Sequence, residues 1–408
     1  MQPQNSPKPT DSNPWVSQHK SAPLLACAIA TFLLIIAIPS PARADDPSPQ
    51  AQTLIDKGLD FLKTQQKPDH TWQRDSDPPA ITAIVLKAFM GDKKYDADMP
   101  FLDKGYDALL SFQKDNGGIY KDMLANYNTA IAISSLAAAH EAEYQEPQAK
   151  AVAFLKRLQW SDDTANTTPE RKSVDDKNVN FGGWGYGKKE RADGSNEQIA
   201  LDALHDARLK PSDPAFQRAV KFVSRLQNNS ETNDQSWAGN DGGFIYTASD
   251  NGSSPAGEYT APDGKRLLRS YGSMTYAGLK SLIYAGLSKD DPRVKAAWSW
   301  ISNNYTMDEN PGFRAADPAT AASGIFYYYH TLSRCLNAYD SPTITDSKGQ
   351  SHDWRAELIT KLASIQKPDG SWVGDKRWME DSPVLVTAYC VISLEEAKQD
   401  LIEHSPKQ

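Results

Sequence analysis

One phrase, Ser364 to Trp372 (SIQKPDGSW), constrains this chain more than any other. It follows a run, Trp354 to Leu362, whose apolar residues fall at helical spacing. Pro368 cannot continue that helix and Asp369-Gly370 supplies turn chemistry, so the helix stops there. Trp372 closes the turn, and a second apolar run begins near Pro383. The phrase returns at Thr64–Trp72 (TQQKPDHTW) and at Ser111–Tyr120 (SFQKDNGGIY). The helix leading into it returns as AVAFLKRLQ at Ala151–Gln159 and AVKFVSRLQ at Ala219–Gln227. The chain is a helix–turn–helix repeat.

Two kinds of helix alternate. One is amphipathic and ends in the Gln turn, over about 51–66, 98–113, 148–159, 213–227, 292–303 and 353–366. The other is rich in small and aromatic residues, over about 78–90, 127–140, 196–208, 271–286, 319–338 and 383–396. The fifth pair is degenerate, with Asn303-Asn304 where Gln stands elsewhere. A helix apolar almost all round, such as Thr129 to Ala137, belongs to an inner layer, and one with a polar face, such as Ala219 to Gln227, to an outer layer. About six such pairs make either a closed two-layer barrel or an open solenoid, and periodicity does not choose between them.

The repeated Gln, turn, Gly and aromatic, clearest at QKPDGSW, resembles the repeats of the terpenoid cyclase and protein prenyltransferase superfamily, and covers most of the chain beyond residue 52. It also resembles exported bacterial proteins that carry prenyltransferase and squalene-oxidase repeats. The resemblance implies an all-α fold, a closed α/α toroid over 52–400 with parallel inner helices around a central cavity. It says little about chemistry.

The N-terminus reads as an export signal. Lys8, His19 and Lys20 precede an apolar run from Ala22 to Ile38, and Ala42-Arg43-Ala44 has the small-residue spacing of a cleavage site. Residues 1–44 are therefore expected to be removed, the rival being an uncleaved anchor, with 45–51 as linker and 401–408 as tail. Without the signal, 41 basic and 51 acidic residues remain, and no basic block that would suit nucleic acid. Cys335 and Cys390 both lie in apolar helical runs without metal spacing and read as buried free thiols. No cofactor is expected.

The chemistry of the resembling enzymes is mostly missing. Their cyclases protonate an alkene with a DxDD motif. The nearest string here, Trp160 to Ala165, has Trp160 in place of the first aspartate and continues as polar loop, and Asp175-Asp176 also lacks partners. Their prenyltransferases hold zinc through Asp, Cys and His. His330-Thr331 resembles the histidine segment, but the helix at Tyr271 reads SYGSMTYAGL and lacks the matching Asp-x-Cys, so no metal is expected.

What remains are positional candidates. His330 and Tyr327 share a helix, and His330 is either a core histidine among tyrosines or an acid–base group on the cavity wall. Trp184 and Tyr186 sit in a Gly–aromatic loop (Phe181 to Gly187), and Tyr271 and Tyr276 at the start of an inner helix; these aromatics staple repeats together or stack on a ligand. Asp77, Asn196, Glu197 and Asp381 stand near inner-helix starts, where they serve as caps or first-turn acids. In a toroid those ends share one mouth, and Glu197 and Asp381 become catalytic candidates with His330. The leading expectation is a cavity protein for a hydrophobic or isoprenoid-like ligand. The alternatives are a polysaccharide-active enzyme using mouth carboxylates, whose partner is a glycan, and a non-catalytic scaffold. Membrane contact enters only through an uncleaved N-terminal anchor. An apolar, aromatic-lined cavity favours the first reading and opposed carboxylates in an open cleft the second.

Overall fold

Twelve α-helices alternate among the described residues of the computed structural model, which are 46–163, 173–187 and 190–404. The outer helices are α1 (Ser48–Thr64), α3 (Pro100–Leu110), α5 (Gln145–Leu158), α7 (Pro214–Leu226), α9 (Pro292–Asn304) and α11 (Trp354–Ile365). The inner helices are α2 (Ala80–Met90), α4 (Ala125–Ala139), α6 (Gly194–Asp206), α8 (Gly272–Tyr284), α10 (Ile325–Tyr339) and α12 (Pro383–Glu403). The expected export segment and the last four residues lie outside the described residues. Because α1 starts at Ser48 and α12 runs to Glu403, the linker and tail expected at 45–51 and 401–408 are largely helix where described.

Local chemistry sets these boundaries. Asp213-Pro214 and Asp291-Pro292 open α7 and α9, the Asp side chain accepting from the second helical N–H and proline taking the first position, where no N–H is needed. Along α7 the buried residues Phe216, Ala219, Phe222, Val223 and Leu226 keep helical spacing and leave the other face to solvent. α4 buries residues on nearly every side, as an inner helix must.

Each inner helix packs on the next, and α12 packs back on α2, so the ring closes and the solenoid alternative falls away. The glutamines of the repeat lock the outer ring. Gln227 Nε2 donates to the Gly242 carbonyl of its own turn at 2.9 Å and to Arg293 O, in the next outer helix, at 2.8 Å. Gln66, Gln113 and Gln159 make the same pair of bonds. Gln366 reaches Leu54 O of α1 at 3.1 Å and so ties the last repeat to the first. In the degenerate repeat, Asn304 instead bonds Trp300 O within its own helix. The turns need glycine: Gly182, Gly242 and Gly370 have φ of +88°, +83° and +90°, and a Cβ there would lie 2.0–2.3 Å from a carbonyl oxygen of the next outer helix.

Two short hairpins decorate the barrel: β1 (Glu258–Thr260) with β2 (Arg266–Leu268), and β3 (Thr343–Thr345) with β4 (Ser351–Asp353). Cys335 and Cys390 are buried and unpaired. No helix among the described residues is long and apolar enough to cross a membrane.

Candidate ligand cup

In five repeats the residue that closes the turn, aromatic except for Ile119, fixes the register of the inner helix after it. The backbone N–H groups of Trp72, Ile119, Phe244 and Trp372 donate to the hydroxyls of Thr82, Thr129, Thr275 and Thr387. In the third repeat Trp184 N–H donates to Glu197 instead. Two positions before these anchors stand Ala80, Tyr127, Ser195, Ser273 and Leu385, and five positions after stand Lys87, Ser134, Asp202, Lys280 and Ile392. Tyr327 and Arg334 keep the same seven-residue step on α10. Two helical turns separate the levels, so both face the barrel axis.

The upper level bounds a cup of about 440 Å³ at the N-terminal ends of all six inner helices. Its wall carries six tyrosines (Tyr127, Tyr186, Tyr246, Tyr271, Tyr327 and Tyr389) and Trp378. Ile81, Leu124, Ile131, Met274, Met379 and Leu385 fill spaces between them. Among the described residues no carboxylate and no cation lines it. Trp378 and Met379 come from the loop before α12 in left-handed conformations (φ 55° and 64°). That loop is held by Glu380, whose Oε1 accepts the N–H groups of Phe326 and Tyr327 at 2.9 and 2.8 Å. Burial pushes the Glu380 carboxyl up to about 8. Gly324 makes room for the lid, since a Cβ there would strike the Trp378 ring.

The lower level closes the cup with charge. Lys280 Nζ lies 2.7 Å from Asp202, Arg334 bridges Asp202 (2.9 Å) and Asp206 (3.0 Å), and Lys87 reaches Asp206 at 2.6 Å. Buried charges of this kind persist only when paired. Gln198 joins this layer to the cup: its Oε1 accepts from Lys280 and its Nε2 donates to the Tyr327 hydroxyl at 3.0 Å. Below, at the C-terminal helix ends, a polar basin of about 640 Å³ includes Lys87, Asp92, His140, Glu395 and Lys398.

Of the residues singled out in the sequence, Tyr186, Tyr271 and Tyr327 line the cup. Trp184 does not: it is fully buried, with Nε1 donating to Leu155 O at 2.8 Å as a repeat staple. Tyr276 is packed edge-on against Tyr328, ring centroids 5.6 Å apart, away from the cup. Glu197 lies in the wall behind the cup, its burial holding the carboxyl well above the usual range. Asp381 is exposed, and Ser382 caps α12 in its place; Asp193 caps α6, with Glu197 as the acid of its first turn. His330 stacks on Tyr389 at 4.9 Å beneath the cup, beside a void of about 30 Å³. Burial and the nearby Arg334, Lys280 and Lys87 hold its pKa well below the usual histidine value, so the ring is neutral. The structure therefore does not bring His330, Glu197 and Asp381 together. Asp162, Asp163, Asp175 and Asp176 are exposed loop residues.

Comparison with solved structures gives the fold its relatives. The type II terpene cyclase MstE from Scytonema superposes with a TM-score of 0.51 at 17% identity, over 86% of this chain and 99% of that one. An unsaturated glucuronyl hydrolase specific for heparin gives 0.56 at 12% identity, over 88% and 100%. An α-amylase from Clostridium perfringens gives 0.50 at 12% identity, over 84% and 97%. The fold is the α/α toroid. No protein-family model matches the sequence, and no curated protein does. These identities are too low to carry chemistry from any of the three.

Proposed function

We propose that this toroid binds a hydrophobic, isoprenoid-like ligand in its upper cup. One observation carries the reading: a cavity of about 440 Å³ is walled by six tyrosines, a tryptophan and aliphatic side chains, with no charged group among the described lining residues. That volume falls in the range of small-molecule sites, and aromatic faces give an apolar chain large contact area. The Scytonema cyclase has also been solved with geranylgeranyl dihydroxybenzoate as substrate, which supports the same class of occupant in a shared fold. Glycan cleavage by paired carboxylates finds less support, because Asp381 is exposed and Glu197 is buried in the wall. Acid-initiated cyclisation lacks its motif. Export directed by residues 1–44 is part of the proposal; it rests on the sequence alone, and mass spectrometry locating the mature N-terminus after Ala44 tests it.

The cup itself is tested by displacement of an apolar fluorescent probe. Wild-type protein should take up the probe and release it to farnesol, whereas Leu385→Asp, which puts a charge in the wall, and Ile81→Trp, which fills it, should not bind. Equal binding by all three would place the probe elsewhere and remove the reading.

A further inference from the structure

The wall of the cup is not uniformly inert: a row of hydroxyls runs from a buried carboxylate to its mouth. Asp193 caps α6 and is 1% exposed. Its oxygens accept the backbone N–H of Ser195 (3.1 Å) and of Asn196 (3.0 Å) and the Asn196 side-chain amide (2.9 Å). All of these are N–H donors, so toward them the Asp193 oxygens accept. Ser195 must then give its hydroxyl proton to Asp193, at 2.9 Å. Its oxygen can then accept from Tyr127 and from Tyr246, the latter at 3.4 Å, and with the Tyr246 bond so directed the Tyr246 oxygen accepts from Tyr186, at 2.8 Å. In this arrangement every hydroxyl in the row points toward Asp193. At the mouth the row ends on the Tyr186 oxygen, which has given away its proton and keeps a lone pair.

The floor of the cup runs the other way. Lys280 donates to Gln198 and Gln198 donates to Tyr327, so the Tyr327 hydroxyl retains its proton and ends that chain as a donor. A buried cation orders one chain and a buried carboxylate the other, with no charged group among the described lining residues.

We propose that the ligand is an alcohol: an apolar chain lying in the cup, with an uncharged hydroxyl at the mouth donating to Tyr186. This rests on the cup being the ligand site and goes further by naming the head group. A diphosphate or carboxylate is disfavoured, since no cation among the described residues lines the cup and the mouth presents a lone pair. An aldehyde cannot donate, and gains nothing from Tyr186.

Binding of farnesol, farnesal, farnesene and farnesyl diphosphate to the full chain tests this, with Tyr186→Phe and Tyr246→Phe as variants. Tyr186 is partly exposed, so the phenylalanine keeps its stacking on Tyr127. Farnesol should bind about three- to ten-fold tighter than farnesal or farnesene, the usual worth of one hydrogen bond, and the diphosphate weakest. Tyr186→Phe should erase the preference for farnesol and leave farnesene unchanged, and Tyr246→Phe should weaken it. The inference is overturned if the diphosphate binds tightest, or if Tyr186→Phe leaves farnesol unaffected or costs all probes equally. Failure of every probe to bind wild-type protein would overturn the cup reading itself.

Discussion

Glu197 accepts the Trp184 backbone N–H at 3.0 Å, the bond that a threonine makes in four of the other repeats. A carboxyl thus occupies a position built for a hydroxyl. Its Oε1 has no partner, and the site around it is a nearly closed void of about 10 Å³. An acid that holds its proton more tightly folded than unfolded favours folding below its ordinary value, 4.5 here, and costs stability as pH rises through its folded value.

Glu197→Gln should therefore raise the melting temperature at pH 8 and leave it nearly unchanged at pH 4.5. Ligand affinity should not move, because Glu197 does not line the cup. Scanning calorimetry at the two pH values checks the first point. A loss of stability at pH 8 would show that the ionised carboxylate is tolerated in the wall.

The glutamine clamps should dominate the stability of the outer ring. Gln227→Ala removes both bonds and leaves the buried Gly242 carbonyl without its partner, a cost of about 1–3 kcal/mol. Gln65→Ala, one residue from a clamp but exposed, should stay within about 0.5 kcal/mol of wild type. Urea denaturation measures both, and equal effects would deny the clamps their role.

How much of this could be read from the chain? The helix pairs could, because Gln bridges carbonyls, Gly takes positive φ and the aromatic staples, each within a few residues of its partners. Ring closure comes only through the family resemblance and not from periodicity, since physically it depends on Gln366 meeting Leu54 across most of the sequence. The cup was legible in part. Tyr127 and Tyr389 follow from the threonine register, two before Thr129 and two after Thr387, once that register is noticed. Tyr276 comes one residue after Thr275 and so turns to Tyr328 instead of the axis. Tyr246 and Trp378 arrive on loops whose path no helical period encodes. Glu197 and Asp381 drew notice because acids near helix starts imply a mouth, but burial of one in the wall and exposure of the other separate them.

The charged layer under the cup should be fragile when broken and forgiving when removed in pairs. Lys280→Met strands part of the Asp202 charge and should cost about 3–5 kcal/mol. Adding Asp202→Asn should return about 0.5–3 kcal/mol of that loss, since the two sites share one bond. A strictly additive double variant, measured by denaturant unfolding, would mean that Arg334 alone satisfies Asp202.

Glu380 gives the lid a pH dependence. With its carboxyl raised to about 8 from an ordinary 4.5, it favours the folded state below 4.5, and that contribution is lost as pH rises through about 8. Glu197 and Glu395 are raised as well and act with the same sign. The melting temperature should fall between pH 5 and pH 9, and Glu380→Gln should flatten part of that slope while the amide oxygen still accepts from Phe326 and Tyr327. An unchanged slope in thermal melts across the range would show that Glu380 titrates at its ordinary value in the fold.

The central claim, that the upper cup holds a hydrophobic ligand, meets its most direct test in native mass spectrometry with lipid extraction. The sample is the mature protein purified from the cells that make it, beside Leu385→Asp. The account predicts a co-purifying apolar molecule bound one to one in the wild type and missing from the variant. Wild-type protein that is empty, and stays empty when offered isoprenoids and lipids, would contradict it.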